Sequence, residues 1–241
     1  MHTLAVILAR AGSKGLPDKC VLPLCDRPVI AYTLAHAQAS RLVDAIVLTT
    51  DSQRAAEIAR ASGVTVIDRP PELADDTAPV DAAVRHAVTC YEKQLGRAVD
   101  AVVILYGNVP VRAPDAIDRC VEHLARTGCD SIRTVAPVSK QHPDWLHRLD
   151  GDRMQQYRTN SIHRRQELEP LYYHDGAVIV VGRAALFAPG TASDPHAFFG
   201  SDRRAVVQGE NDSVDIDSIA DFYRAEALLH ARQAAETGIP S

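Results

Sequence analysis

A chain of 241 residues, 46% hydrophobic and 24% charged, has the composition of an ordinary globular protein and is long enough for one large domain with a full core. Its net charge of −5 argues against a general nucleic-acid or anionic-membrane binder, so any anion site must be a local basic patch. Apolar runs such as Ala177 to Val181 are far too short to span a bilayer, and Met1-His2-Thr3 leads straight into a strand with no basic leader. The expectation is a cytoplasmic protein with neither a nucleic acid nor a membrane as partner. Cys20, Cys25, Cys90, Cys120 and Cys129 form no C-x-x-C pair and read as reduced thiols.

The first element is a buried strand over the apolar run from Ala5. It breaks at Ala9-Arg10-Ala11-Gly12-Ser13-Lys14-Gly15-Leu16-Pro17-Asp18-Lys19, where two glycines stand among three cations. Glycine leaves no Cβ in the way, so such a backbone can fold around an anion, and Arg10, Lys14 and Lys19 suit a triphosphate. Neither G-x-x-x-x-G-K-[ST] nor G-x-G-x-x-G occurs, so by itself the loop is equally readable as a strand-to-helix turn with surface lysines.

A helix follows over 28–40, with Ile30, Leu34 and Ala35 inward, then a strand over 45–51. A helix over 53–61 stops at Gly63, and a strand covers 64–68. The segment 69–77 reads as a loop, 79–94 as a helix and 100–106 as a strand. A helix over 115–125 and a strand over 130–138 come next, and periodicity then weakens between Ser139 and Pro170. Strands over 178–182 and 205–207 precede Ser213-Val214-Asp215-Ile216-Asp217 and an amphipathic helix from Ser218, whose apolar face is Ile219, Phe222, Ala225, Leu228 and Leu229. Alternating strands and helices predict one α/β domain over 1–241, a mostly parallel, Rossmann-like sheet between two helical layers. Asp215 and Asp217, two apart in an extended segment, point the same way and can share a cation.

Four separated blocks resemble the acidic-sugar cytidylyltransferases, the N-acylneuraminate cytidylyltransferase family. These are the loop with Pro23-Leu24 and Pro28 to Leu34, the segment Arg69 to Thr77, the stretch Arg165 to Ala177, and Ser213 to Asp217. The resemblance implies a nucleotidyltransferase that moves CMP from CTP to an acidic 2-keto-3-deoxy sugar and releases pyrophosphate. Ala9, Arg10, Gly12, Ser13, Lys14 and Lys19 would then hold the nucleotide, with Arg69 and Thr77 near the base and ribose. Asp215 and Asp217 would hold Mg²⁺, and Arg10, Lys14, Asp215 and Asp217 would be the catalytic set.

Departures from the pattern concern the acceptor. Tyr106-Gly107-Asn108-Val109 stands where the family shows Q-P-T-S, Trp145 replaces a lysine, Tyr173 stands where some members carry Arg, and Asp175 replaces Asn. Cys20 replaces an Asn on the nucleotide side. Tyr106, Asn108, Arg165, Gln166 and Tyr173 are the acceptor candidates, with Arg165 first because a guanidinium pairs with a carboxylate through two parallel bonds. The resemblance also implies that 139–170 is an arm that packs on a second subunit in a homodimer. Another anionic acceptor, an octulosonic acid or a small phosphonate, and a non-catalytic nucleotide-binding subunit are the competing readings.

Overall fold

The computed structural model describes residues 1–12, 15–75, 77–188 and 196–237. The first strand, β1 (Thr3–Leu8), is buried along its whole length. A small hairpin, β2 (Pro23–Leu24) with β3 (Arg27–Pro28), leads into α1 (Val29–Ala39). Then come β4 (Ala45–Thr50), α2 (Gln53–Ala61), β5 (Thr65–Asp68), the short α3 (Pro71–Ala74) and α4 (Val80–Leu95). The second half holds β6 (Ala101–Tyr106), α5 (Ala116–Thr127), β7 (Ser131–Pro137) and a separate hairpin, β8 (His147–Asp150) with β9 (Arg153–Gln156). It ends with β10 (Tyr172–Gly182), α6 (Arg183–Leu186), β11 (Arg203–Val207) and α7 (Ile219–Thr237).

Seven strands make one sheet in the order β11-β7-β10-β6-β1-β4-β5. Only β10 runs antiparallel to its neighbours. The two faces of β1 go to different layers, as period-two alternation requires. Ala5 and Ile7 pack under α1, α2 and α5, while Leu4, Val6 and Leu8 pack under α4 and α6. This is the three-layer arrangement that the alternation of elements predicts. A third cluster, Leu24, Val29, Tyr32, Val111, Val214, Ile216 and Ala225, fastens α7 and the small hairpin to the sheet.

Local chemistry accounts for most element ends. The Ser52 side chain accepts the Ala55 N–H and caps α2, and Gly63, Gly96 and Gly128 each take a positive φ just past a helix. Ser218 and Asp221 cap α7 reciprocally, Ser218 Oγ accepting the Asp221 N–H and Asp221 Oδ2 accepting the Ser218 N–H.

Three expectations are corrected, and the stretch 139–170 gains structure. The segment 69–77 is not all loop, because Pro71 at a first helical position starts α3. The strand expected over 178–182 begins at Tyr172, because its first half pairs with β7 while exposing Tyr172, Tyr173 and His174, a pattern that hides the strand in the sequence. Ile219 lies on the exposed side of α7, since the face that packs inward is centred on Ala225. The irregular stretch 139–170 holds an exposed two-stranded hairpin. His142 is structural there: it is buried, with Nε2 3.0 Å from the Glu169 carbonyl and Nδ1 accepting the Asp144 N–H. Among the described residues all five cysteines are free thiols, and no helix is long and apolar enough to cross a membrane.

His36, on α1, carries a pH signature. Burial, with Arg112, Arg232 and Arg27 nearby, pushes its pKa from 6.5 down to about 3, and its Nδ1 has no partner among the described residues. A neutral histidine in the fold and a protonated one in the unfolded chain mean that the unfolded state binds more protons below pH 6.5, so stability falls as pH drops toward 3. Between pH 7 and pH 5 this group alone withdraws about 2 kcal/mol. Urea midpoints at pH 7 and pH 5 should therefore converge more in His36→Gln than in the wild type. Equal pH dependence in both proteins would refute the assignment.

Candidate active site

The sheet order reverses at β1: the chain moves outward through β4 and β5, then returns to place β6 on the other side. In open α/β sheets the crevice at such a switch point lies beyond the carboxyl ends of the strands. A cleft of about 500 Å³ opens there. Its wall includes Ala9 and Arg10 after β1, Gly15, Lys19 and Cys20, Arg69 after β5, Tyr106 and Asn108 after β6, and Asp215 and Asp217. Leu73, Ala78, Pro79, Val80 and Ala83 give it an apolar side.

The loop after β1 is held by main-chain contacts. Ala9 N donates to Thr49 O, and Ala11 N donates to the Asp51 carboxylate at 2.9 Å. Gly15 is required by packing, since a Cβ there would sit 2.5 Å from the Asp217 carbonyl oxygen. Gly12 has open space around it and does not line the cleft. Ser13 and Lys14, both assigned to the nucleotide, lie outside the described residues.

Three cations face this crevice. Lys19 Nζ pairs with Asp217 at 2.5 Å, so the loop and the C-terminal acidic segment meet although they are 198 residues apart. Arg69 donates to the Thr49 carbonyl at 2.8 Å; burial lowers its pKa, Asp51 opposes that, and nearby Arg10 adds to it. Arg69 and Arg10 therefore lie close enough to repel each other. Thr77 is not on the cleft wall. Its N–H and hydroxyl both donate to Asp75 Oδ1 at 2.9 Å, beside wall residues Asp75 and Ala78.

Asp215 and Asp217 come from an extended segment whose alternate residues Val214 and Ile216 are buried, which sends both acids to the cleft side. The segment is pinned by the Val214 bridge to Val111 and by Ile216 N donating to Asn108 O at 3.0 Å. Asn108 Nδ2 donates to Asp215 Oδ1 and to Ile216 O, so its amide is engaged in holding the acidic segment. Burial first, then the charge of Asp217, raises the Asp215 carboxyl to about 6, with Lys19 and Arg112 opposing. Asp215 Oδ2 accepts no hydrogen bond from a described residue and stands 3.3 Å from where a Gly176 Cβ would be.

A second recess of about 280 Å³ adjoins the first and shares Tyr106 and Asp215 with it. Its wall includes Arg133, Tyr173, His174, Asp175, Gly176 and Arg224. It exists because β10 bulges: His174 lies opposite Val135 and Ile179 opposite Arg133, five steps on one strand against two on the other. Asp175 stabilises the bulge, accepting from Thr134 Oγ1, the Ala177 N–H and Gln208 Nε2. Arg165 and Gln166 lie on an exposed turn of the 139–170 stretch and line neither recess within the single chain. Sequence reasoning passed over Arg133 and Arg224. The signal for Arg133 was a lone charge inside the otherwise apolar and hydroxyl-bearing strand Ser131 to Val135.

Residues 4–181 match the protein family described as Cytidylyltransferase. The chain belongs to the cytidylyltransferase family. It is 30% identical over 226 residues to an N-acylneuraminate cytidylyltransferase of Streptococcus agalactiae, covering 92% of this chain and 52% of that protein. The chain thus spans about half the length of the first curated relatives that it matches. A CMP-N,N'-diacetyllegionaminic acid synthase of Legionella pneumophila is 29% identical, with 98% of this chain and 99% of that one covered. A pseudaminic acid cytidylyltransferase of Campylobacter jejuni is 27% identical over 95% of this chain and 96% of that protein. Among solved structures, a CMP:2-keto-3-deoxy-manno-octonic acid synthetase complexed with CTP superposes with a TM-score of 0.70 at 18% identity, covering 96% of this chain and 100% of the other. A 4-diphosphocytidyl-2C-methyl-D-erythritol synthase gives 0.67 at 17% identity, with 95% and 100% covered. These two share the fold of this family member.

Proposed function

We propose that this chain is a CTP-dependent cytidylyltransferase that transfers CMP to an acidic 2-keto-3-deoxy sugar of the nonulosonic acid class. The single observation that carries the reading is the meeting of the cationic loop and the acidic segment across one cleft, through Lys19 and Asp217. Such transfer needs a triphosphate held in line with an attacking oxygen and its developing charge neutralised. Arg10 and Lys19, with Lys14 from the same loop, would grip the phosphates, and Arg69 with the apolar wall from Leu73 to Ala83 would face the nucleoside. An acceptor in the second recess would present its hydroxyl past Tyr106 and Asp215, the residues common to both cavities.

The donor set fits Mg²⁺. Among the described residues no cluster of three or more His, Cys, Asp or Glu gathers, and two carboxylates are what a Mg²⁺ site completed by substrate phosphates and water requires. Asp215 offers an oxygen with no partner among the described residues, and Asp217 is reached from solvent. When bound, the ion lowers the pKa of the acceptor hydroxyl and neutralises phosphate charge. The chain's own part is orientation: Asn108 holds Asp215, and the loop residues would fix the phosphates.

Exposed Leu146, Leu149, Met154 and Tyr157 on the 139–170 stretch, with Tyr172 and Tyr173 beside it, support an arm that pairs two copies. Light scattering that gives a monomer's mass would remove the dimer. The activity itself is tested by pyrophosphate release with CTP and Mg²⁺ across sialic, legionaminic, pseudaminic and octulosonic acids and small phosphonates. Turnover with a nonulosonic acid is the expected result. Turnover with a phosphonate alone would overturn the acceptor class, and silence with CTP still bound would point to a non-catalytic subunit.

A further inference from the structure

We propose that Arg133, aimed by Phe199 and His174, binds the carboxylate of the acceptor in the recess beside Asp215. This rests on the transferase reading above and assigns the acceptor's anionic end to a residue that composition and motif did not mark. Arg133 stands on β7, between β10 and β11, opposite Ile179 on one side and Ala205 on the other. A partly buried cation on a paired strand is costly unless something answers its charge. No carboxylate among the described residues lies within ion-pair distance of it. Its single hydrogen bond there is from a terminal nitrogen to His174 Nε2, and its Nε is buried with no partner.

Its orientation is nonetheless fixed. The guanidinium carbon lies 3.7 Å from the centroid of the Phe199 ring, a cation–π contact that occupies one face of the group. Burial and the Arg133 charge both lower the pKa of His174, so the imidazole stays neutral and accepts rather than competes.

Most of the other charges around the recess have partners of their own. Asp175 is taken up by Thr134, Gln208 and a main-chain N–H, and Asp221 caps α7. Arg224 donates to the Glu210 carbonyl and to Asn211 Oδ1. Arg224 is exposed and uses one terminal nitrogen for both bonds, whereas Arg133 is the partly buried cationic donor in this recess with bonding capacity left over. Tyr106 lies within electrostatic reach of both Arg133 and Asp215. A small sugar acid would span that line, its carboxylate on Arg133 and its reacting hydroxyl toward Asp215. Arg165, by contrast, stands on an exposed turn away from both cavities of this chain.

The test pairs a substitution with a change in the substrate. With the acid that the wild type uses best, Arg133→Gln should raise the acceptor KM by about 10- to 100-fold and leave the CTP KM unchanged. An acceptor whose carboxylate is reduced to the alcohol should suffer a similar penalty with the wild type and little added penalty with Arg133→Gln, because the same contact is then already missing. Arg133→Lys, which keeps the charge and loses the planar fork, should fall between the two. Thermal melting of each variant guards against misfolding: a merely structural Arg133 would depress turnover of the acid and the alcohol alike. Equal penalties on both acceptors, or an unchanged KM for the acid, would overturn the assignment. A wild type that is silent with every acid would instead remove the transferase reading, and this inference with it.

Discussion

Asp217→Asn is expected to cut pyrophosphate release by about 10²- to 10³-fold and to leave folding stability within about 0.5 kcal/mol. The asymmetry follows from where the side chain sits. It is 73% exposed, and its ion pair with Lys19 is of the kind that contributes little to stability in water. What it supplies is negative charge opposite the cationic loop, where phosphates and a divalent ion would meet. Asp215→Asn should lose as much activity and gain stability. Its carboxyl is raised to about 6 by burial and by Asp217, so the native state holds a proton that the unfolded state releases. Stability from this group is greatest below the unfolded pKa and declines as pH rises through 6; an amide abolishes that decline. The pair of outcomes, activity lost in both variants and the melting temperature raised in one, is read by a pyrophosphate assay and a melt at pH 7. Near-wild-type turnover in either variant would sink the proposed site. A melting temperature lowered in Asp215→Asn would show that Asn108 depends on the charge.

The elements legible in the sequence were those whose burial is uniform or strictly periodic. The strand at Thr3–Leu8, buried on both faces, and the helix at Gln53–Ala61, with a serine cap and a glycine stop, leave direct marks in residue order. The first half of β10 left none, because Tyr172, Tyr173 and His174 are held by main-chain pairing to β7 while their side chains stay exposed. The loop side of the cleft was legible for a related reason. Its glycine and cationic residues constrain backbone and charge together, and Arg10, Gly15, Lys19 and Arg69 all reach the cleft wall. The second recess was not legible, because it is made by a register shift. Arg133, His174 and Arg224 come from three elements, and nothing in their spacing announces that a bulge at Gly176 will bring them to one wall. Asn108 shows a further limit. Its position was marked, but its engagement with Asp215 depends on a contact across 107 residues of chain.

Arg112→Met should lower stability by about 3 kcal/mol or more and the melting temperature by roughly 6–12 °C, the largest structural effect expected of any single change here. Arg112 is fully buried. Its Nε donates to the Ala177 carbonyl at 2.7 Å, and its terminal nitrogens donate to Thr33 Oγ1, Val109 O and Tyr106 O. It thereby ties together the end of β6, the bulge of β10 and α1. Ala177 lies where β10 leaves its ladder with β7, so a methionine would strand its carbonyl inside the protein. Among the described residues no carboxylate pairs directly with this cation; the charges of Asp215 and Asp175 answer it at longer range against a large cost of burial. The link to the acidic segment runs through the preceding residue. Val111 bridges to Val214, and Asn108 holds Ile216, so the acidic segment is hung from the loop that Arg112 staples. Arg112→Lys should not rescue, since one ammonium cannot reach four acceptors on three elements. Below the melting point, Arg112→Met should also need more Mg²⁺ for half-maximal turnover, because Asp215 is less firmly placed. A melting temperature within about 2 °C of the wild type, equivalent to about 1 kcal/mol or less, would mean that water replaces the guanidinium and that the loop holds its shape by packing alone.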